Sequence, residues 1–570
     1  MSTPTPSAPA ASRPPRAATV NGYLRFCLIA WRASRPFTVA VAAVTTLVFA
    51  VPLLLIAVIG QVVSRLPGAV RDGLSSPDGR AVLRYALVAG VLVGVQWLAA
   101  ALREATCEAL GDRVNHHLQR ELMRAVMRPA GVAHLETAAT MDLISVGRDN
   151  FAQWMRPGRL AWELTLLLSA RAMLIGASLV LTKFSLLAGP AFLAAVLWAE
   201  HEGRMVSKKA AENHFDSTPD SRRTYYYFTL GTEPPAAKEV RVFGLASYLL
   251  DGFSSYWRKA HSEAFSGSSR RERIATITLA VVALGILGWL CLSAARGGLG
   301  IGSAVVSAQA ITLGLTSLGI ATVSRNRTEL ALKMLQRHEQ AMAAVGVDED
   351  AQPTGTLPAG SPRREIRFDD VTFRYPGSDT DMLKHLDLVV PAGQSVAIVG
   401  DNGAGKTTLL KLLCGLYPTT GGRILVDGVD VADLDPRRWQ RHIAAVFQDN
   451  VKYELPAATN IGFGAVEHQD DLPGIRQAAE SADVAAVLDK LDQGWDTVLS
   501  TQYADGSELS GGEWQKISLA RALFAVRHGA GVLILDEPAA HLDARSEARL
   551  YERYLELTQG VTTIVVSHRF

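Results

Sequence analysis

The chain has 570 residues, a length that suits roughly three or four domains of ordinary size. Its 57 basic and 55 acidic residues give a net charge of +2, which excludes a protein that binds nucleic acid through bulk positive charge. The four cysteines are scattered and include no Cys-x-x-Cys pair, which argues against a disulfide framework and against a cysteine-rich zinc module. The mean hydropathy of +0.15 hides a difference between two parts of the chain. Residues up to about 335 contain repeated long apolar stretches, whereas the rest has the alternating pattern of an α/β domain.

The N-terminal residues predict a tail followed by a surface helix. Residues 1–21 are rich in Pro, Ala and Ser and lack the apolar core of a signal peptide, so we expect a disordered tail. Between Tyr23 and Arg35, apolar and aromatic residues alternate with arginines, which is typical of a helix lying among lipid headgroups. A plain soluble helix is the alternative, and the long apolar stretch that follows argues against it.

Six apolar stretches approach the ~20 residues that cross a bilayer. The fourth is short and ends at Glu200, and the sixth is diluted by small residues such as Gly314, Ser317 and Gly319, which suit close helix packing. We therefore predict a transmembrane domain over 22–340 with six helices, at about 37–62, 82–102, 160–181, 185–200, 274–294 and 300–322.

Loop lengths and charges predict the orientation of these spans. The long segments 103–159 and 201–273 are rich in arginine, whereas the connections near 182–184 and 295–299 are very short. The excess of positive charge places the long segments and the N-terminus in the cytoplasm. An even number of spans then returns the C-terminal half to the cytoplasm, where nucleotide is available.

Two ionisable residues, Glu163 and Arg171, fall inside the third predicted span. Charged groups at that depth are costly and usually face the bundle interior or a water-filled cavity. An ion pair with a neighbouring helix and a contact with a transported substrate are equally good interpretations.

A linker at 341–364 precedes a domain at 365–570 that contains a phosphate-binding loop. The apolar strand Ser395–Val399 leads directly into a GxxxxGK[ST] pattern, and an apolar helical segment follows it. In such a loop, glycines let backbone N–H groups cradle phosphates, the lysine reaches the β- and γ-phosphates, and the hydroxyl residue binds Mg²⁺. The predicted ATP-binding residues are Gly400, Asp401, Asn402, Gly403, Ala404, Gly405, Lys406, Thr407 and Thr408, with Thr407 as a Mg²⁺ ligand.

A second acidic element ends a buried strand. The aliphatic run Val532–Leu535 fits a strand covered on both faces of a parallel sheet, and Asp536 and Glu537 follow it. Beside a phosphate-binding loop, Asp536 is placed to hold the Mg²⁺ shell, and Glu537 to orient or deprotonate the attacking water. Solvated acids at a strand end would be the better interpretation if that loop were absent.

The segment Leu509-Ser510-Gly511-Gly512-Glu513 resembles the signature of the ATP-binding cassette (ABC) family, which ordinary P-loop ATPases lack. The resemblance implies that Ser510, Gly511 and Gly512 contact the γ-phosphate bound to the P-loop of an opposite protomer. One P-loop and one signature per chain therefore imply a second copy, or a similar half-transporter, as the partner.

Further positions match the family one at a time. Tyr375 resembles the aromatic residue that stacks on adenine, although a core tyrosine at a strand end is the alternative. Gln448 resembles the glutamine that senses Mg²⁺ and water. The remaining two matches are Asp543, in the loop that communicates across the dimer, and His568, which resembles the histidine that contacts the γ-phosphate.

The chain stops at Phe570, two residues after His568, whereas related domains continue with another strand and helices. We expect this ending to lower the stability of the nucleotide domain and to leave its phosphate chemistry intact. Departures at Ala539 and His541 from the family's small or hydroxyl residues predict altered communication across the dimer.

Spans fused ahead of the nucleotide domain resemble the half-transporter exporters of the family. The resemblance implies a six-helix exporter domain followed by an α/β P-loop domain, bound to ATP and Mg²⁺ in a bacterial cytoplasmic membrane. In this fold, short coupling helices contact the nucleotide domains, and our candidates are 135–147 and the aromatic segment 220–232.

The segments 237–244, 447–464 and 508–516 are similar to exporters of lantibiotic-type peptides. A modified peptide or a related natural product is therefore the favoured cargo, and lipid or drug efflux is the alternative. A membrane-anchored ATP-binding scaffold with little turnover is an alternative of another class. The six spans exclude a soluble cassette protein of the DNA-repair type.

Overall fold

The computed structural model describes residues 16–136, 140–141, 144, 156–215, 219–233, 236–261, 270–296, 300–345, 353–358, 360–537, 556 and 558–567. The chain divides into two compact units. The first comprises residues 1–123 and 143–342, and the second comprises 124–142 and 343–570. A short piece of the N-terminal half, residues 124–142, therefore belongs to the second unit.

The first unit is helical. Its long helices are α1 (Arg16–Ala33), α2 (Arg35–Asp72), α3 (Pro77–Met127), α4 (Leu160–Phe184), α5 (Ala188–Phe215), α9 (Arg270–Ala295) and α10 (Ile301–Val345), and α3 ends inside the second unit. Three shorter helices lie between α5 and α9, namely α6 (Pro219–Thr232), α7 (Ala237–Val242) and α8 (Ala246–His261).

Apolar contacts hold these helices together in two main clusters. One joins α4, α5, α9 and α10, and the other joins α1 to α2, α3, α4 and α10. Small residues set the closest approaches, since a Cβ added at Gly314 would lie 2.3 Å from Cε1 of Phe192. This fits the close packing expected of the sixth span, although Gly319 faces open space. Large apolar side chains also face outward, including Leu54, Leu87 and Leu284. Such an outer surface suits contact with lipid.

Five of the described helices are long and apolar enough to cross a membrane: Arg35–Asp72, Pro77–Met127, Pro157–Thr182, Arg270–Ala295 and Gly302–Val345. They contain the first, second, third and fifth predicted spans and all but the first two residues of the sixth. The fourth predicted span begins three residues before α5 (Ala188–Phe215), which packs against α4 and α9. Its polar C-terminal part dilutes the apolar signal, so the sixth crossing stays a prediction.

Two predicted boundaries differ from the structure by several residues. Helix α1 begins at Arg16 rather than after residue 21, because Ala17 and Ala18 continue a good helix-forming sequence toward the N-terminus. Helix α10 runs to Val345, five residues into the predicted linker, through the helix-forming run of residues 339–345.

The ionisable residues of the third predicted span both lie in ion pairs. Arg171 of α4 donates from Nη1 to Oε2 of Glu200 on α5. Arg325 of α10 donates to the backbone oxygen of Glu200 at 2.9 Å, and its Nη2 lies 3.4 Å from Oε2. Glu163 is fully buried between Arg159 and Arg327, with both pairs at 3.6 Å. Glu200 and Glu163 therefore connect α4, α5 and α10. Of the two interpretations offered for Glu163 and Arg171, these contacts support the ion pair with a neighbouring helix.

The second unit contains two sheets. The antiparallel sheet has the order β2–β1–β4–β5 and is formed by β1 (Glu365–Phe373), β2 (Leu383–Pro391), β4 (Gly421–Val426) and β5 (Val429–Asp430). The parallel sheet has the order β3–β8–β7–β6 and is formed by β3 (Ser395–Val399), β6 (Ile443–Val446), β7 (Val532–Asp536) and β8 (Thr562–Ser567). All five residues of β7 are buried, as its aliphatic sequence predicts.

Helices complete the unit around two hydrophobic clusters. Helix α11 (Lys406–Leu413) packs with both sheets and with Trp439 of α12 (Pro436–Arg441), whose indole N–H donates to the oxygen of Leu413 at 2.6 Å. The second cluster joins β6 and β7 to a helical part formed by α13 (Ala457–Gly462), α14 (Leu472–Ser481), α15 (Ala485–Leu488) and α16 (Gly511–Arg527). The helix that follows the phosphate loop and the helix that begins at the signature therefore pack in different hydrophobic clusters.

The Glu200 network predicts a large stability effect in the helical unit. Replacing Glu200 by Gln leaves the buried Arg325 guanidinium and the partly exposed Arg171 guanidinium without their carboxylate, and a buried pair that loses one partner costs about 3–5 kcal/mol. We expect a clear fall in the unfolding temperature of the detergent-purified chain, followed by tryptophan fluorescence.

Glu339→Gln is the matched control, because Glu339 pairs with Arg25 at 2.7 Å on an exposed surface. Its effect should stay within about 1 kcal/mol. Equal shifts for the two variants would contradict the buried network.

Candidate nucleotide site

The phosphate loop joins the end of β3 to the start of α11. Gly403 and Gly405 have φ angles of +82° and +89°, in the left-handed region that favours glycine. A Cβ added at Gly405 would also lie 2.7 Å from Cδ2 of Leu383, so the backbone leaves no room for a side chain there. The Lys406 ammonium donates to the oxygens of Gly400 and Asp401 at 2.6 and 3.0 Å, which holds it over the loop. The arrangement is one that binds phosphate oxygens at a helix N-terminus.

Asp536 stands at the end of β7, buried beside Thr407. Burial raises the pKa of the Asp536 carboxyl and the neighbouring Glu537 adds to the rise, while the Thr407 hydroxyl, Lys406 and Lys411 oppose it. Among the residues that the structure describes, neither carboxylate oxygen of Asp536 has a hydrogen-bond partner. A buried carboxylate with free oxygens beside a hydroxyl suits a hard cation such as Mg²⁺. Thr407 and Asp536 therefore fit the predicted Mg²⁺ ligands.

Glu537 and Gln448 lie side by side at the ends of neighbouring strands. Parallel pairing sets Val446 of β6 opposite Leu535 of β7, so the residues that follow the two strands meet at one edge. The Gln448 amide donates to Oε2 of Glu537 at 3.0 Å. Glu537 has a positive φ of +50°, and its N–H donates to the oxygen of Val566 in β8 at 3.0 Å. The pairing of these two predicted site residues was not foreseen from the sequence.

Tyr375 is half-buried, near the start of α11. Its hydroxyl and that of Thr408 are hydrogen-bonded at 3.0 Å. Its ring makes edge contacts with Phe373 and Tyr417, at centroid distances of 4.9 and 5.4 Å. The ring thus belongs to the rim of the core and also lies beside the phosphate-loop helix, so the adenine contact stays a prediction.

The signature residues begin helix α16. Ser510 is the N-cap and forms a capping box with Glu513: each residue's side chain accepts a hydrogen bond from the backbone N–H of the other. Ser510, Gly511 and Gly512 are exposed, and a Cβ at either glycine would face open space. In the described part of the chain, no hydrogen bond or ion pair joins these residues to the phosphate loop. An exposed, capped helix N-terminus is available to an anion from outside this chain.

Two predicted site residues, Asp543 and His568, lie outside the described residues. Strand β8 ends at Ser567, and parallel pairing places Ser567 opposite Val399, the residue before the phosphate loop. The prediction for His568 is therefore compatible with the register of β8.

A segment of the N-terminal half contributes contacts that the sequence did not reveal. The N–H of Val132 donates to the oxygen of Leu416 at 3.0 Å, and the Gln440 amide donates to the oxygen of Ala130 at 3.0 Å. The Tyr417 hydroxyl donates to Oε1 of Glu136. The predicted coupling segment 135–147 therefore begins too late, since its contacts start at residue 128. Residues 137–139, 142–143 and 145–147 of it lie outside the described part.

The second candidate coupling segment corresponds to α6 (Pro219–Thr232), which packs against α8 (Ala246–His261). Its aromatic residues meet those of α8, with the Tyr227 and Tyr256 rings stacked at 5.7 Å. Tyr226 and Phe228 also keep large exposed surfaces, at 60% and 46%. Part of this aromatic segment therefore packs within the chain, and its contact with a nucleotide domain stays a prediction.

Comparison with known proteins identifies the domain and the fold. Residues 383–540 match the family model described as "ABC transporter". A solved structure of a bacterial Atm1-family ABC exporter with ATP bound aligns with a TM-score of 0.71 at 22% identity, covering 94% of this chain and 92% of that one. The predicted architecture, a helical exporter domain followed by an α/β nucleotide-binding domain, is confirmed.

Curated relatives include proteins with different cargoes. The subtilin transport ATP-binding protein SpaT of Bacillus subtilis is 30% identical over 363 residues, 62% of this chain and 58% of that protein. An ATP-dependent lipid A-core flippase of Ralstonia nicotianae is 41% identical over 208 residues, 36% and 34% of the two chains. The β-(1→2)glucan export protein NdvA of Rhizobium johnstonii is 38% identical over 223 residues, 39% and 36% of the two. The matches span from about a third to just under three fifths of these relatives.

The close approach at Gly405 gives a test of the phosphate loop. Gly405→Ala forces a side chain into a left-handed position, at a cost of roughly 1–2 kcal/mol, and against Leu383. We expect the affinity for a fluorescent ATP analogue to fall about tenfold or more. Gly494→Ala is the control, because Gly494 also has a positive φ, of +56°, and faces open space. Equal losses in both variants would show that the loop is not the binding element.

Proposed function

Because residues 383–540 form an ABC transporter domain and most of the chain has the fold of an ABC exporter, we propose that it is one half of an ATP-driven exporter. The observation that carries this proposal is the physical link between the nucleotide site and the N-terminal half. Helix α3 continues from the apolar helices to Met127, and residues 128–136 then bind the turn that follows the phosphate-loop helix. Nucleotide-dependent movement of that turn would reach the membrane helices through a short segment.

Each of the site residues has a different role in the proposed hydrolysis of ATP. The loop N–H groups and Lys406 bind the phosphates and neutralise their charge. Glu537 accepts a proton from a water whose oxygen attacks the γ-phosphorus, while the bond from the γ-phosphorus to the bridging oxygen breaks and ADP leaves. Gln448 holds the Glu537 carboxylate through its amide. A Mg²⁺ ion held by Thr407 and Asp536 would supply charge stabilisation to the phosphates.

A second protomer would complete the site. The signature and the phosphate loop belong to separate hydrophobic clusters of one chain, and the signature residues Ser510, Gly511 and Gly512 are exposed. We propose that Ser510, Gly511 and Gly512 of a second copy, or of a similar half-transporter, contact the γ-phosphate. ATP then joins the two nucleotide domains, and hydrolysis separates them.

The proposed location is a bacterial cytoplasmic membrane. The five apolar helices support membrane insertion, and the arginine-rich segments support a cytoplasmic nucleotide domain. The favoured cargo is a modified peptide, supported by the similarity to SpaT over 62% of this chain. Lipid efflux is a second candidate, favoured by the similarity to lipid A-core flippases. A membrane-anchored scaffold with little turnover is the alternative of another class.

ATP hydrolysis by the full chain in lipid nanodiscs tests the proposal. Glu537→Gln removes the proton acceptor and should lower the turnover rate at least about a hundredfold, since a general base typically contributes that much. Glu467→Gln is the matched control, because Glu467 lies on the surface and pairs with Arg441 at 3.2 Å. Absence of turnover in the natural chain would favour the scaffold, and turnover that is unchanged in Glu537→Gln would contradict the role proposed for Glu537.

Cargo is tested by uptake into inside-out proteoliposomes. We expect a lantibiotic-type peptide to accumulate with ATP in vesicles that contain the natural chain and not in vesicles that contain Glu537→Gln. Movement of a labelled lipid between leaflets in the same vesicles, with no peptide uptake, would instead support the lipid exporter.

A further inference from the structure

We propose that Tyr417 is a positioning residue that links the cytoplasmic segment 128–136 to the adenine side of the nucleotide site. The inference rests on the proposed ATP-binding role of the domain. It concerns Glu136, Tyr417, Tyr375 and Thr408, which form a continuous series of contacts.

The first step is the attachment of the segment to the turn after α11. Val132 donates to the oxygen of Leu416, and the Gln440 amide donates to the oxygens of both Ala130 and Cys414, at 3.0 and 3.3 Å. The approach is close, because a Cβ added at Gly131 would lie 2.8 Å from the oxygen of Leu416. The segment and the turn therefore move together.

The second step is the hydroxyl of Tyr417. The side chain is buried, at 3% exposure, and its hydroxyl donates to Oε1 of Glu136. Burial and the nearby Glu136 carboxylate both raise the pKa of Tyr417, so the hydroxyl keeps its proton and stays a donor at neutral pH. A phenylalanine would fill the same volume, so the bond to Glu136 is a contribution beyond packing.

The third step leads from the Tyr417 ring to the phosphate-loop helix. The ring meets Tyr375 edge-on at 5.4 Å, and the Tyr375 hydroxyl is bonded to Thr408 at 3.0 Å. Lys411 stands over both rings, at 5.8 and 5.9 Å from their centroids. Thr408 follows Thr407 directly, so the series ends beside the predicted Mg²⁺ ligand and on the ring predicted to meet adenine.

These contacts separate two parts of nucleotide binding. The phosphates are bound by the loop backbone and Lys406, and the series reaches this loop only at its far end, where the Tyr375 hydroxyl meets the side chain of Thr408. The base is bound through Tyr375, whose ring is held by Tyr417 on one side. Loosening Tyr417 should therefore weaken binding of a nucleotide and leave binding of a bare polyphosphate unchanged.

The experiment uses the full chain in nanodiscs and a fluorescent ATP analogue, displaced either by ATP or by inorganic tripolyphosphate. In Tyr417→Phe we expect the affinity for ATP to fall about three- to tenfold, as for a lost hydrogen bond to a charged group, with the affinity for tripolyphosphate unchanged. Glu136→Ala should reproduce this split. Glu136→Gln keeps an acceptor for the Tyr417 hydroxyl and should stay close to the natural chain.

Three results would overturn the proposal: an unchanged ATP affinity in Tyr417→Phe, an equal loss for ATP and tripolyphosphate, or losses that simply add in the double variant Glu136→Ala with Tyr417→Phe. Because the measurement is of binding, it does not need turnover. A chain that binds ATP with the expected split and never hydrolyses it would contradict the proposed exporter function alone. A natural chain that binds neither ligand would contradict both.

Discussion

Parallel pairing of β3, β8, β7 and β6 is the constraint on which the nucleotide site depends. The register sets Val399 opposite Ser567, Val566 opposite Asp536, and Leu535 opposite Val446. Carboxyl ends of parallel strands lie at one edge of a sheet, so the phosphate loop, the two acids and Gln448 meet there although about 140 residues separate the first from the last. Aliphatic side chains bury β7 on both faces, so the strand that carries the two acids lies within the hydrophobic core.

Buried charges in the two units differ in how they are compensated. This difference distinguishes carboxylates that hold helices together from a carboxylate that is placed to bind a ligand. Glu200 and Glu163 each lie between two arginines of the helical unit, so their burial is compensated within the chain. Asp536 is equally buried, and among the described residues no cation lies within 4.0 Å of its oxygens to form an ion pair. A carboxylate in that position is tolerated when a ligand supplies positive charge. The same physical rule thus assigns the first two residues to helix packing and the third to ligand binding.

Local features of the nucleotide site could be predicted from the sequence, and distant pairings could not. The loop at 400–407 and the acids after β7 are encoded by residue type and spacing within one strand and its next turn, so their positions agree with the structure. The bond between Gln448 and Glu537 depends on which strands become neighbours, which a single sequence does not specify. The contact of Glu136 with Tyr417 joins residues 281 apart and has no local signal. Helix ends were missed at Arg16 and Val345, where alanine-rich sequence continues a helix without a stop signal.

Among the contacts of segment 128–136, the bond between Glu136 and Tyr417 is the one that depends on the identity of both side chains. Bonds from Val132, Arg437 and Gln440 all end on backbone oxygens, of Leu416, Arg128 and Ala130, which any residue at those positions would supply. Such bonds fix the segment in place with little dependence on the acceptor's side chain. Glu136 and Tyr417 are joined through two side chains, so the identity of each residue decides whether that contact exists. Since Tyr417 also touches Tyr375, a change of either residue alters the nucleotide side of the turn while the backbone attachment persists.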